Sequence, residues 1–314
     1  MAGDNSLLEY RNCPSCGQSD FTVLFNSNMR GVDLQQSVES DTQRGKYGRH
    51  VKCRNCHLIY VNPIERQGKI NTDYSKRKKD AEIYARVGAS IARRSRLYAT
   101  KSQVQLLKKY QNGGNLLDIG CAEGFFLFNA SKAGYITKGI ELSQDAAAYA
   151  RGEFDLDVET RPLEELQFSQ DYFDVVTLWQ VLEHLPYTLM ILKEIYRILK
   201  PGGLIVVATP NIAGIPAKVL GRRWWNIKRG HINQFTPKTL VAILKNAGFK
   251  NVSSISYRES ASLLMLFMSV SIFLKAPEPL KTWLHTGSTL GKIMDKVMLI
   301  SSSKLDLCTV IGFK

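Results

Sequence analysis

Long apolar runs are scarce in this 314-residue chain. The longest, Ala261 to Leu274, is shorter than the roughly 20 residues that a membrane-spanning helix needs. Residues 1–20 are polar and lack the apolar core of a secretory signal, so a cytoplasmic protein is expected. Cysteine is also sparse. Of six, four fall in two CxxC pairs near the N-terminus, while Cys121 and Cys308 stand alone in apolar surroundings. That distribution argues against a disulfide framework and for metal binding in a reducing compartment. No internal repeat or low-complexity tract interrupts the chain, which disfavours repeat architectures. Acidic residues are in deficit: 28 Asp and Glu face 42 Lys and Arg, a formal charge of +14. The excess suits an acidic partner, such as a phosphate-bearing substrate, nucleic acid or an anionic membrane surface, although solubility alone also accounts for it.

What is present is an ordinary globular composition, 44% hydrophobic, in a chain long enough for one large α/β domain and a small appendage. Between the CxxC pairs, Phe21 to Phe25 reads as a strand and residues 26–48 as a polar loop. Tyr74 to Tyr110 reads as helical and strongly basic, with eleven Lys or Arg against two acids. Short apolar strands then alternate with helical stretches, which argues a parallel sheet. The strand candidates are Asn115–Ile119, Ile136–Glu141, Val158–Thr160, Phe173–Leu178, Leu204–Thr209, Val252–Tyr257 and Leu305–Phe313. Three segments follow: a metal-binding module over 1–70, a basic helical connector over 71–112, and a main domain over 113–314 carrying an insertion at 260–304.

Leu116 to Gly124 (Leu-Leu-Asp-Ile-Gly-Cys-Ala-Glu-Gly) is an apolar strand running into a glycine-bearing turn and then an apolar helix. Gly120 and Gly124 allow backbone to approach a ligand at the helix N-terminus. A dinucleotide fingerprint would need GxGxxG; Ala122 and Phe125 occupy its later glycine positions, which disfavours NAD. About twenty residues on, Glu141 ends the second strand, where a carboxylate can accept both hydroxyl protons of a ribose. With Phe173–Val176 and the Leu199–Gly203 turn, these residues resemble the class I S-adenosylmethionine-dependent methyltransferase family over residues 115–258. The resemblance implies an α/β fold with a seven-stranded, mostly parallel, Rossmann-like sheet and S-adenosylmethionine as cofactor. It places Asp118, Gly120, Cys121 and Gly124 at the methionine moiety and Glu141 at the ribose, with Leu142, Leu163, Trp179 and Gln180 completing the cofactor site.

Cys13-Pro-Ser-Cys16-Gly and Cys53-Arg-Asn-Cys56-His supply four thiols in two knuckles, a set that suits tetrahedral structural zinc in a zinc-ribbon-like module. A redox pair or two unrelated cysteine pairs are the rival readings. His57 stands where glycine is common and adds an imidazole close to the knuckle. With Tyr60-Val-Asn-Pro63, this region resembles bacterial methyltransferases associated with sugar and cell-surface glycan biosynthesis.

On the acceptor side, helical spacing would put Gln180, Glu183 and His184 on one face above the sheet edge. Arg222 to Arg229 and His231 to Thr236 follow the fifth strand at the same edge. Glu183, His184 and His231 are the candidate catalytic residues, a histidine taking the acceptor's proton. A Glu-x-x-Glu-His pattern with a distant histidine also marks metal-dependent methyltransferases, but Gln180 replaces the first glutamate here.

The insertion is expected to be helical before the last strand, apolar nearly all round from Ala261 to Leu274, with a second helical stretch carrying Trp283, Leu284, Leu290, Ile293, Met294 and Met298. Such a surface must be buried in the domain itself, a homodimer, a lipid-like acceptor or a peripheral membrane contact. The leading expectation is methyl transfer to an oxygen of a saccharide, nucleotide-sugar or lipid-linked acceptor. The alternatives are an RNA methyltransferase gripping phosphate through the zinc module and basic helices, a metal-dependent O-methyltransferase of a quinone-like lipid, and a non-enzymatic scaffold; RNA ranks below the small-molecule acceptors.

Overall fold

A computed structural model describes residues 8–29, 46–66, 89–256, 258–262, 297–301 and 306–314. The N-terminal region holds five short strands: β1 (Leu8–Glu9), β2 (Phe21–Phe25), β3 (His50–Cys53), β4 (Ile59–Val61) and β5 (Ile64–Glu65). The larger region runs α1 (Ala89–Leu107), β6 (Gly114–Ile119), α2 (Phe125–Lys132), β7 (Tyr135–Ile140), α3 (Gln144–Phe154) and β8 (Val158–Glu159). It continues with β9 (Phe173–Trp179), α4 (Thr188–Ile198), β10 (Leu199–Pro210), α5 (Ile215–Leu220), β11 (Asn233–Gln234) and α6 (Pro237–Asn246). Last come β12 (Lys250–Ile255), β13 (Arg258–Ser262), β14 (Val297–Ser301) and β15 (Leu307–Phe313).

The main sheet has seven strands in the order β12-β15-β10-β9-β6-β7-β8, and only β15 runs antiparallel to its neighbours. Its central strands are buried on both faces, which is why β6, β9 and β10 read as continuous apolar runs instead of alternating ones. Helix α4 turns Ile191, Leu192, Ile195 and Ile198 inward at helical spacing. Helix α3 starts where the Ser143 side chain accepts the Ala146 N–H, and α6 where Thr236 and Thr239 form a reciprocal capping box ahead of Pro237. In the parallel strands, Ile119, Ile140, Trp179 and Pro210 all end at one edge, so the loops that follow them converge.

Two expectations change. The N-terminal strands are not a self-contained appendage, because β11 from the main domain completes their sheet in the order β11-β4-β3-β2, pairing Asn233 with Tyr60 and Gln234 with Ile59. The insertion does not begin or end in helix. Ala261 and Met298 face each other across an antiparallel ribbon of β13 and β14 that packs against α1. Val297 and Ile300 are β-branched and suit a strand, while Arg258–Ser262 has no β-branched residue and takes extended backbone by pairing with them. The stretches expected to be helical between them, at 263–296, lie outside the described residues, as do 67–70 of the metal-binding module and 71–88 of the basic connector. No helix among the described residues is long and apolar enough to cross a membrane.

Candidate functional site

The turn after β6 is tight. Gly120, Ala122 and Gly124 all take positive φ (72°, 48° and 79°), which returns the chain from the strand into α2 within five residues. Gly124 serves packing more than ligand approach: a Cβ there would meet Leu156 Cδ1 at 2.6 Å and the Ala150 Cβ at 2.9 Å. At Gly120 the corresponding space is taken by the Val181 side chain, which joins the cofactor turn to the segment carrying Glu183. Glu141 reaches back over this turn. Its Oε2 accepts the Ala122 N–H at 2.9 Å and its Oε1 the Ser143 N–H at 2.8 Å, so its position is set by backbone on both sides.

Asp118 sits at the end of β6, fully buried, accepting a 2.6 Å hydrogen bond from the Thr177 hydroxyl. Burial, with a smaller contribution from Glu141, pushes its carboxyl up to about 8. Glu183 is buried to 1% exposure, neither carboxyl oxygen has a hydrogen-bond partner, and burial likewise raises it to about 8. Acids held in an edge this dry favour a ligand that brings positive charge. S-adenosylmethionine, with its sulfonium and ammonium, fits that demand; the pyrophosphate of NAD would bring charge of the wrong sign. Cys121 and Leu163 are buried, Leu142 and Trp179 partly so, and Trp179 packs edge-on against Phe126 at 5.4 Å.

Gln180 departs from the expected arrangement. It takes a left-handed backbone (φ 58°) and its side chain is exposed, so it does not share a helical face with Glu183 and His184. The chain is turning off β9 there, and the Gln180 N–H bonds the Ala208 carbonyl of β10 at 2.7 Å. Only Leu182–His184 is helical, as a single 3-10 turn.

Glu183, His184 and His231 do come together, each offering a ligand atom within 4.8 Å of the others. The two imidazoles meet edge to face, centroids 4.6 Å apart. His184 Nδ1 lies 2.8 Å from the Gly230 carbonyl; as the donor there it leaves Nε2 as the acceptor nitrogen of the neutral ring. Gly230, not Glu183, therefore orients His184. His231 is nearly wholly buried, and burial together with His184 holds it well below the usual histidine range, so it stays neutral.

The loop bearing His231 is held from the N-terminal region. Arg11 donates to the carbonyls of Val61, Pro186 and Ile232 and to Asn233 Oδ1. Asn62 fixes Arg11 in turn, accepting its N–H at 3.1 Å and donating to its carbonyl at 3.1 Å. Arg229 and Glu65 form a bidentate buried pair, both contacts 2.6 Å. These anchors were missed in the sequence; Asn62, Arg229 and Asn233 fell within motif stretches, but nothing local marks Arg11 or Glu65 as their partners.

Cys13, Cys16, Cys53 and Cys56 converge, with Sγ–Sγ distances of 3.4 Å for Cys13–Cys56 and 3.5 Å for Cys16–Cys53, and all four within 4.8 Å. Tetrahedral thiolates at a Zn–S distance of about 2.3 Å would stand about 3.8 Å apart, so the residues fit such an ion. Gly17 and His57 occupy equivalent left-handed positions (φ 75° and 61°), each N–H bonding the carbonyl of the first cysteine of its knuckle. His57 is exposed and is not among the four converging ligands. The cluster docks on the main domain: the Pro14 carbonyl accepts from the Leu189 N–H and the Thr188 hydroxyl at the start of α4.

A methyltransferase-domain family model matches residues 91–254, just over half of the chain. A ubiquinone biosynthesis O-methyltransferase of Hydrogenovibrio crunogenus is 31% identical over 118 residues, covering 35% of this chain and 48% of that protein, so the chain spans about half of that relative's length. A malonyl-[acyl-carrier protein] O-methyltransferase of Pectobacterium atrosepticum is 27% identical over 67% of this chain and 82% of its own. The methyltransferase in the Haloferax volcanii complex with the Trm112 methyltransferase activator shares the fold, with a TM-score of 0.50 at 16% identity over 76% of this chain and 99% of that one. Strand order, the β6 turn with Glu141 above it, and the matched span agree: the chain belongs to the class I S-adenosylmethionine-dependent methyltransferase family.

Proposed function

We propose that this protein transfers a methyl group from S-adenosylmethionine to a hydroxyl or carboxyl oxygen of an acceptor bound beside Glu183, His184 and His231. The observation that carries this is the meeting of two imidazoles and a buried carboxyl at the same sheet edge as the Gly120–Glu141 turn. Bound cofactor supplies an electrophilic methyl; the chain must place an oxygen in line with it and accept at most one proton. His184 is the residue we assign to that proton, since the Gly230 carbonyl presets its tautomer. His231 is too deeply buried to be a good base and serves as the wall against which His184 packs. Asp118, Glu141 and the backbone of the turn hold the cofactor, with Cys121, Leu142, Leu163, Trp179 and Gln180 around it. The names of both curated relatives specify O-methyl transfer, in ubiquinone biosynthesis and on malonyl-[acyl-carrier protein], which supports oxygen as the target atom. Neither supports the saccharide or nucleotide-sugar acceptor expected from the N-terminal motif. We further propose structural zinc on Cys13, Cys16, Cys53 and Cys56.

A second reading rests on one feature: the Glu183 carboxyl, dry and without a hydrogen-bond partner, stands within ligand reach of two imidazoles. A two-histidine, one-carboxylate set suits manganese, iron or zinc, and such an ion would lower the pKa of a bound acceptor hydroxyl. One experiment separates the two. Protein with its zinc retained is incubated with isotopically labelled cofactor and a panel of phenolic, acyl and sugar acceptors, with and without a mild chelator. Labelled product on an oxygen acceptor, unaffected by chelation, is the expected result. Activity abolished by the chelator and restored by manganese moves the assignment to the metal reading, and no labelled product with any acceptor overturns both.

A further inference from the structure

Residues 215–225 form a surface whose chemistry the methyl-transfer site does not use. Ile215 and Val219, one turn apart on α5, are 72% and 76% exposed, and Trp225 is 53% exposed. Between and beside them Lys218, Arg222 and Arg223 also face solvent. Ala217 and Trp224 turn the other way, into a small core with Tyr47 and Ile227, so the outward position of Ile215, Val219 and Trp225 is dictated by what lies beneath them. The presentation is rigid. Trp224 Nε1 donates to Asp306 Oδ2 at 2.9 Å and Asn226 Nδ2 to the same oxygen at 3.1 Å, pinning the two residues that flank Trp225.

Charge selects the partner. No Asp or Glu occurs between Glu194 and Glu259, an interval that contains the whole patch. Asp306, the acid bonded beneath it, spends one oxygen on the two inward hydrogen bonds. Exposed aliphatic side chains, an exposed indole and three exposed cations, on a stretch of chain that carries no acid, match the interface of an anionic bilayer, where apolar groups enter the acyl boundary and Lys and Arg meet phosphate headgroups. A folded protein partner would ordinarily demand some acidic or neutral polar complement at the rim, and single-stranded RNA would favour several stacking aromatics over aliphatic ones.

We propose that Ile215, Val219 and Trp225, with the exposed Lys218, Arg222 and Arg223, dock this protein peripherally on anionic membrane surfaces. The proposal stands whether or not the methyl-transfer assignment holds, and its test does not use activity.

Full-length protein is floated with vesicles of phosphatidylcholine alone and with vesicles containing a third phosphatidylglycerol, at low and high salt. Binding to the anionic vesicles, much weaker binding to the neutral ones and a loss at high salt are expected. Arg222→Glu with Arg223→Glu should weaken anionic-vesicle binding at least tenfold. Val219→Ser with Trp225→Ser should weaken it on the order of tenfold at both salt concentrations, because the apolar term is unscreened. Unchanged circular dichroism and cofactor affinity show that both variants fold. Wild type that stays with neither vesicle, or both variants floating like wild type, overturns the proposal. So does a loss in these variants of binding to single-stranded RNA, or of dimer by light scattering, without a loss of vesicle binding.

Discussion

The edge we assign to the cofactor and the edge we assign to the acceptor lie side by side on one sheet, yet they are built in opposite ways. Asp118, Gly120, Gly124 and Glu141 come from a single strand–turn–helix–strand unit; Glu141 accepts the Ala122 and Ser143 N–H groups within about twenty residues of itself, while Asp118 reaches further, to the Thr177 hydroxyl. Glu183, His184 and His231 depend on segments far apart in sequence: Arg11, held by Asn62, grips Ile232 and Asn233 just after His231, Glu65 pairs with Arg229, and β11 completes the sheet of β3 and β4. The lesson is one of vulnerability. A locally built site survives damage elsewhere, whereas a site assembled from distant pieces fails with any of its supports.

That contrast breaks most visibly at the cysteines. Cys53→Ser, which removes a buried member of the thiol cluster, should lose the bound metal and lower methyl transfer by more than about 100-fold, because metal binding and folding of such modules are one equilibrium. Cofactor affinity by calorimetry should change by less than about threefold. An equal loss of both would mean that the two edges are not separable. His184→Ala tests the acceptor edge alone: roughly 100-fold slower transfer in single-turnover assays with cofactor affinity kept is the scale of a lost general base. Full activity would remove His184 from the chemistry.

Arg229→Met leaves Glu65 buried without its partner and should cost about 3–5 kcal/mol in urea unfolding, most of it recovered when Glu65→Leu is added. If the single variant were as stable as wild type, the anchor would be ornamental. On the other edge, Glu141→Ala should weaken cofactor binding by about 2–4 kcal/mol, the loss of two charge-assisted hydrogen bonds, while leaving the His184–His231 contact unchanged in NMR spectra. The last prediction concerns pH. Burial keeps Asp118 protonated up to about 8 against an ordinary 3.8, so without cofactor the folded state holds a proton that the unfolded chain releases. Its contribution is full below about pH 4 and is lost as pH rises toward 8. Asp118→Asn should match wild type near pH 4 and be the more stable of the two near pH 9 in unfolding experiments. An equal decline in both proteins would show that Asp118 does not titrate in this range.

The two edges also differ in how far they could be read from residues alone. The glycine turn, Glu141 and the alternation of strands were legible because each rests on local physics: positive φ at a tight turn, a carboxylate at a strand end, apolar runs where both faces are covered. The CxxC knuckles were legible for the same reason, since a knuckle is closed by its own backbone hydrogen bonds. Helical spacing misled at Gln180, where the need to join β10 through the Ala208 carbonyl overrode the local pattern and left a left-handed residue. It misled again at Ala261 and Met298, where strand pairing between residues far apart in sequence decided the conformation.

By itself, then, the order of residues determined the family, the glycine turn after β6 and the two CxxC knuckles, all consequences of short-range geometry and covalent spacing. Only the tertiary structure decided that the N-terminal strands and the His231 loop share a sheet. It alone decided that Gly230 orients His184, that Arg11 reaches Ile232 and Asn233, and that Glu65 and Arg229 lie buried together. The physical reason is that a buried charge or an unpaired strand edge needs a partner, and no rule of sequence spacing says from how far along the chain that partner will come.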